Sequence, residues 1–278
     1  MKLITLTLGI FISFSFASYA QTNAYGEADK TVFSTIKIFT INKDGTAGFG
    51  TGFLFDFDSN TKDSLMKGFL VTAAHLVKGV DSIAMVVRTV GKKYNFMNNA
   101  ELDTFFLAGI NQIILFHPDP KVDLAIIPVS MILQSISGRD RRLAHNFLSF
   151  KDMVSADDLY SMTSIEELLI VGFPMGIESI SMKLPIARRA ITATPYNLAR
   201  ENGGKFFTDF PASPGCSGGP VFLRKLTSNL TYSYSLFGIH VEWFFQQVGN
   251  YQNGMNLGIA LEAILLYDFI DVLKERGW

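Results

Sequence analysis

A single cysteine, Cys216, stands in 278 residues, so no internal disulfide can form and packing must hold the fold together. Histidine is almost as scarce, with four scattered along the chain. No HExxH pair or cysteine cluster is present, so neither a metal nor any other cofactor is expected. Charged residues are 18% of the chain and nearly balanced, at a formal net charge of −1. No electrostatic case for nucleic acid follows. The densest basic cluster, Arg139-Asp140-Arg141-Arg142, is short and interrupted by an acid, which reads as a solvated loop. Low-complexity tracts and internal repeats are also missing, and with 48% hydrophobic residues the chain is globular rather than disordered.

What is present begins with an export signal. Lys2 is followed by a mostly apolar stretch from Leu3 to Ala17 and by the small-residue pattern Ser18-Tyr19-Ala20. Residues 1–20 therefore read as a signal peptide cleaved after Ala20, with cleavage after Ala17 as the alternative. A permanent anchor is the competing reading, but Thr5, Thr7, Ser13 and Ser15 interrupt a stretch shorter than the ~20 apolar residues a span needs. Removing Lys2 with residues 1–20 leaves 23 basic against 25 acidic groups, a formal net charge of −2. A secreted or periplasmic protein without a stable membrane anchor is expected.

From Thr31 onward the chain is a series of short β-branched and aromatic runs broken by glycine or polar turns. STIKIFTI, GTGFLFDF, GFLVTAAHL, SIAMVVRTV, QIILF and LAIIPV form a first set. ELLIVGFP, ARRAITATP, KFFTDF, GPVFLRKL, YSLFGIHVEWF and MNLGIAL form a second. Two tandem antiparallel six-stranded β-barrels are predicted, an all-β fold class. Residues 31–130 would make the N-terminal barrel, 131–163 the connection, and 164–278 the C-terminal barrel with a terminal helix. The connection is expected to hold a helical piece around His145 to Met153. In the tail, Leu261, Ile264, Leu265, Phe269, Val272 and Leu273 fall on one helical face.

Three segments carry the chemistry. Gly215-Cys216-Ser217-Gly218-Gly219-Pro220 makes a glycine-cradled turn that exposes a hydroxyl beside backbone N–H groups, with Gly215 and Ser217 as the expected oxyanion donors. LVTAAHLV places His75 after a strand and two small residues, and DLAIIPV opens a strand with Asp123. Asp123 lies 48 residues after His75 and 94 before Ser217. Asp119 lacks the apolar strand that immediately follows Asp123. Cys216 is a rival nucleophile by chemistry, but it occupies the position between Gly215 and Ser217 and is expected to point inward as an inert thiol.

In the order His, Asp, Ser and in the TDFPASPGCSGGPVF segment, the chain resembles the trypsin/chymotrypsin-type serine proteases, most nearly the disulfide-free bacterial branch of HtrA-type proteases. The resemblance covers most of the chain beyond residue 20. It implies two barrels with a site in the cleft between them, His75 as general base, Asp123 orienting it, Ser217 as nucleophile, and a protein or peptide substrate. A catalytically silent scaffold acting as a binding or regulatory protein is the alternative. Cys216 stands where the digestive members carry an aspartate that pairs with a newly cut N-terminus, so activation by that insertion is not expected. The 61 residues after Ser217 are taken up by strands and helix, so an appended PDZ domain is not expected either.

For specificity, Pro211 occupies the position where trypsin-like members carry the aspartate that binds Lys or Arg, and Ala212 follows it. His240 in GIHV is similar to the histidine of glutamyl endopeptidases and picornaviral chymotrypsin-like proteases, which implies recognition of Glu or Gln. The competing reading is a strand histidine satisfied by a neighbour, with Glu242 the candidate because alternate residues share a face.

Overall fold

The computed structural model describes residues 27–42, 44–57, 68–93, 100–180, 183–196, 203–249 and 251–278. The proposed signal peptide, 1–20, lies outside them. No helix among the described residues is long and apolar enough to cross a membrane.

The N-terminal half supplies β1 (Thr35–Ile41), β2 (Ala47–Asp56), β3 (Gly68–Ala73), β4 (Ser82–Gly91), β5 (Glu101–Ala108), β6 (Leu115–Phe116), β7 (Leu124–Pro128), β8 (Arg141–Leu143) and β9 (Leu148–Ser149). Seven pair in the order β5-β4-β1-β2-β3-β7-β6, while β8 pairs with β4, and β9 runs parallel to β2. This half is thus one sheet of nine strands, larger than the six expected. Three strands are extra: β5, which none of the predicted runs covers, and β8 and β9 from the connecting segment, which the sequence shows only as polar and irregular.

The C-terminal half is a closed six-stranded barrel in the order β10-β11-β12-β15-β14-β13. Its strands are β10 (Glu167–Gly172), β11 (Ile186–Thr192), β12 (Lys205–Asp209), β13 (Pro220–Leu226), β14 (Tyr232–Val248) and β15 (Tyr251–Glu262).

Period-two alternation explains how the two sheets join. On β2, Phe53 and Phe55 face a core shared with Val171, Phe222, Ile239 and Leu261 of the barrel. Leu54, between them, faces the other side and packs with Ile36, Ile38, Leu70 and Ile83. A third cluster, including Phe206, Phe210, Phe237 and Cys216, belongs to the barrel strands. Each fully buried phenylalanine contributes about 1.5–3 kcal/mol through its removal from water, so the shared core binds the halves without a disulfide.

Helical structure departs from expectation in two places. In the connection, helices form at Ser130–Gly138 and Ala156–Tyr160, with a 3-10 turn at Phe150–Asp152, rather than one piece from His145 to Met153. His145 is instead fixed by backbone: its Nδ1 donates to Phe33 O at 2.8 Å and its Nε2 accepts from Arg88 N at 2.9 Å. In the tail, Ala263–Asp268 winds as a 3-10 helix before the α-helix Phe269–Glu275. Three residues per turn rotate the face relative to an α-helix. Leu266, Phe269 and Leu273 are consequently buried, while Ile264 is 45% exposed.

Candidate active site

Strand register brings His75 and Asp123 together. β3 pairs antiparallel with β7, setting Ala73 opposite Leu124, and one step further Ala74 N donates to Asp123 O at 3.1 Å. The Asp123 side chain therefore meets the start of the short helix Ala74–Val77. Its Oδ1 accepts from His75 N at 2.8 Å, and its Oδ2 lies 2.6 Å from His75 Nδ1. Because a carboxylate only accepts, Nδ1 carries the proton and Nε2 is left with its lone pair. Asp119 serves elsewhere, accepting from Lys121 N at 2.9 Å in a turn.

The Gly215–Gly219 loop is set by backbone crowding. Gly215 has φ +93°, and a Cβ there would lie 2.4 Å from Phe173 O. Gly218 has φ +84°, and a Cβ there would lie 2.1 Å from Thr51 O and 3.1 Å from Ala73 N. Only glycine meets both demands, the left-handed angle and the close approach. The contact with Ala73 brings the loop against the chain two residues before His75. Among the described residues, neither the Gly215 nor the Ser217 N–H donates to a protein acceptor.

Ser217 is 7% exposed. Its Oγ donates to Val241 O at 3.2 Å, and this bond runs to the Val241 carbonyl rather than to the His75 ring. The Cys216 side chain sits in the barrel core, where burial pushes its thiol pKa up, so it is held away from the cleft in its protonated, unreactive form.

Thr51, which sequence reading passed over, knits the loop to β2. Its N–H donates to Ser217 O at 3.0 Å and its Oγ1 to Gly215 O at 2.6 Å, while Oγ1 accepts from Phe173 N at 3.1 Å. The signal available was a threonine between Gly50 and Gly52 in mid-strand, a pattern that lets a second backbone approach. Lys37 was missed too. Its Nζ donates to Gly176 O at 2.7 Å, and the adjoining Met175 N donates to Pro214 O at 2.7 Å, next to Gly215.

His240 is fully enclosed, its ring 5.4 Å from that of Phe210, and neither ring nitrogen has a hydrogen-bond partner among the described residues. Glu242 does not supply one. A β-bulge between His240 and Glu242 breaks the alternation that would put both on one face, and Glu242 is exposed. Gly258 brings the enclosed, unpartnered Thr208 Oγ1 to the same place: a Cβ on it would lie 2.7 Å from His240 Cε1 and 3.0 Å from Thr208 Oγ1. Pro211 O accepts from Arg188 Nη1 at 2.7 Å, and the Arg188 guanidinium lies 5.4 Å from the centre of the Phe210 ring. Ala212 N closes a tight turn onto Phe210 O at 2.6 Å.

Burial first, and the charge of His75 second, push the His240 pKa down from 6.5 to about 4. The unfolded chain therefore binds this proton before the folded one does. The stability from a neutral His240 is present above pH 6.5 and is lost as pH falls toward 4, by roughly 3 kcal/mol across the window. His240→Leu is expected to flatten the fall in unfolding free energy between pH 7 and pH 4.5, measured by urea titration. A variant slope as steep as the wild type's would contradict this account.

A model of the trypsin-like peptidase domain matches residues 50–226. Among solved structures, the HtrA-type protease AlgW with a tripeptide matches with 15% identity and a TM-score of 0.51, over 90% of this chain and 63% of that one. A serine endoprotease from Yersinia pestis matches with 15% identity and a TM-score of 0.50, over 90% of this chain and 66% of that one. This chain thus spans less than two thirds of the AlgW chain's length. No curated protein matches it.

Proposed function

Since the chain belongs to the trypsin-like peptidase domain family, we propose that it is an exported serine endopeptidase acting through His75, Asp123 and Ser217. The observation that carries this reading is the His75–Asp123 pair, 2.6 Å apart, beside a glycine loop with two N–H groups uncommitted to protein acceptors. Attack begins when Ser217 rotates about Cα–Cβ, exchanging the Val241 carbonyl for His75 Nε2. The hydroxyl then adds to the peptide carbonyl as the imidazole takes its proton, and the Gly215 and Ser217 N–H groups bind the oxyanion. His75 passes that proton to the leaving amine, and water, activated by the same base, hydrolyses the acyl-enzyme. The export part of the reading rests on residues 1–20 and on the small-residue cleavage pattern.

A fluorophosphonate probe tests the nucleophile directly. It should modify Ser217, mapped by peptide mass spectrometry, and pre-incubation with it should abolish peptide hydrolysis. The orientation of the Ser217 hydroxyl toward Val241 O favours a second reading, a silent scaffold that binds peptides without cutting them. Absence of labelling with retained peptide binding would select that reading.

The proposed preference at the residue before the scissile bond is Glu or Gln. Neutral His240 can donate one ring N–H to a side-chain oxygen, and Thr208 supplies a second polar group beside it. Arg188 adds a fixed positive charge behind Phe210. Because His240 is enclosed, a substrate side chain reaches it only when the surrounding residues shift. A peptide-library profile should show Glu or Gln enriched for the wild type and not for His240→Leu. A wild-type profile without that enrichment would remove the preference while leaving the hydrolytic reading intact.

A further inference from the structure

One cleft lies away from the residues just discussed. It has a volume of about 890 Å³ and runs between the C-terminal barrel, the connecting segment and the 3-10 helix Ala263–Asp268. Its lining includes none of His75, Asp123, Ser217 and His240. Aromatic rings form part of its lining: Phe150 and Tyr267 stack with centroids 4.1 Å apart, Tyr196 and Phe237 pack at 5.0 Å, and Tyr160 is 95% exposed.

One acidic side chain enters this aromatic space. Glu262, the last residue of β15, lines the cleft and is 4% exposed. Its backbone N–H is used, donating to Gly204 O at 2.7 Å, but its side-chain Oε1 is enclosed and has no hydrogen-bond partner among the described residues. No ion pair among the described residues reaches it, and Lys151, which lines the same cleft, makes none with it.

An enclosed carboxylate oxygen without a donor is unfavourable, and the natural complement is a cation that both pairs with it and brings N–H donors. Aromatic faces attract the same cations. The volume suits a ligand of side-chain size or somewhat larger. We infer that this cleft binds an organic cation, an ammonium or guanidinium group on an apolar stem, with Glu262 as its counter-ion and the aromatic side chains around the stem. The site is separate from the proposed catalytic centre and does not rest on the protease reading.

The ligand chemistry has two sources, a free amine or a basic side chain of a peptide, and two probes distinguish them. Calorimetric titration of the full chain with benzylammonium, and separately with N-acetylarginine methylamide, should give saturable binding for at least one. Tighter binding of the second assigns the site to peptide side chains, and tighter binding of the first to free amines. Benzyl alcohol, of similar shape but neutral, should bind at least ten times more weakly than benzylammonium. Glu262→Gln should weaken the cation roughly 10- to 100-fold, as loss of a charge-assisted hydrogen bond does, while unfolding cooperatively like the wild type. No saturation by either cation up to millimolar concentration, equal affinity for the alcohol, or unchanged affinity in a folded Glu262→Gln protein would each overturn the proposal. The comparison of benzylammonium with benzyl alcohol uses the wild type, so it decides the matter even if the variant does not fold.

Discussion

Ser217→Ala should lower peptide turnover by about 10⁶-fold, as removing the nucleophile from a triad of this kind does, and should leave substrate affinity nearly intact. The expected effect is this large because in the proposed mechanism the hydroxyl is the atom that forms the acyl bond. The fold should tolerate the change. In the resting structure the hydroxyl makes one hydrogen bond, to Val241 O at 3.2 Å, and loss of a typical hydrogen bond costs about 1 kcal/mol of stability. The loop itself is set by Gly215, Gly218 and Thr51. Hydrolysis by the variant within tenfold of wild type, in a preparation free of contaminating protease, would sink the mechanism.

Asp123→Asn should be nearly as damaging, with a fall in kcat of about 10⁴-fold at neutral pH. The Asp123 carboxylate accepts twice, from His75 N at 2.8 Å and from His75 Nδ1 at 2.6 Å. An amide offers one oxygen and one NH2. If its oxygen keeps the backbone N–H, its NH2 faces Nδ1, and the imidazole must move its proton to Nε2. The lone pair that would take the Ser217 proton is then lost, and no negative charge remains to stabilise the imidazolium. Shape is preserved, so KM should change little. The kcat split separates this role from a merely structural one: a variant that keeps kcat and loses only thermal stability would make Asp123 a turn residue.

The parts of the constellation readable from the chain are those in which local sequence decides local backbone. Gly215, Gly218 and Gly219 around Ser217 announce a turn with positive φ, and both Gly215 and Gly218 adopt it. The apolar run before His75 announces a strand, which Gly68–Ala73 forms, whereas the short helix Ala74–Val77 that carries His75 was not legible there. The inward position of Cys216 follows from its place in the same turn. Most strands were readable as short β-branched and aromatic runs between glycine or polar turns, but β5, β8 and β9 were not.

Contacts across the chain were not readable. Thr51 reaches Gly215, 164 residues away, and Lys37 reaches Gly176, 139 residues away. Nothing in either neighbourhood names its partner. The competing reading, in which Glu242 satisfies His240, failed because the bulge inserts a residue between them in the ladder. The tail kept its apolar residues but chose a 3-10 winding for its first six, which exchanged Ile264 for Leu266 in the core.

Sequence alone determined that this chain is a disulfide-free β protein carrying a glycine-cradled serine, because steric limits on φ and the two-residue period of a strand act on neighbouring residues. Tertiary structure alone decided that β3 and β7 align Asp123 with His75, that Ser217 rests against Val241, and that Glu262 lines a cleft without a partner among the described residues. Those outcomes depend on how two sheets pack across a shared core, and packing minimises the energy of all contacts together rather than of any segment read by itself.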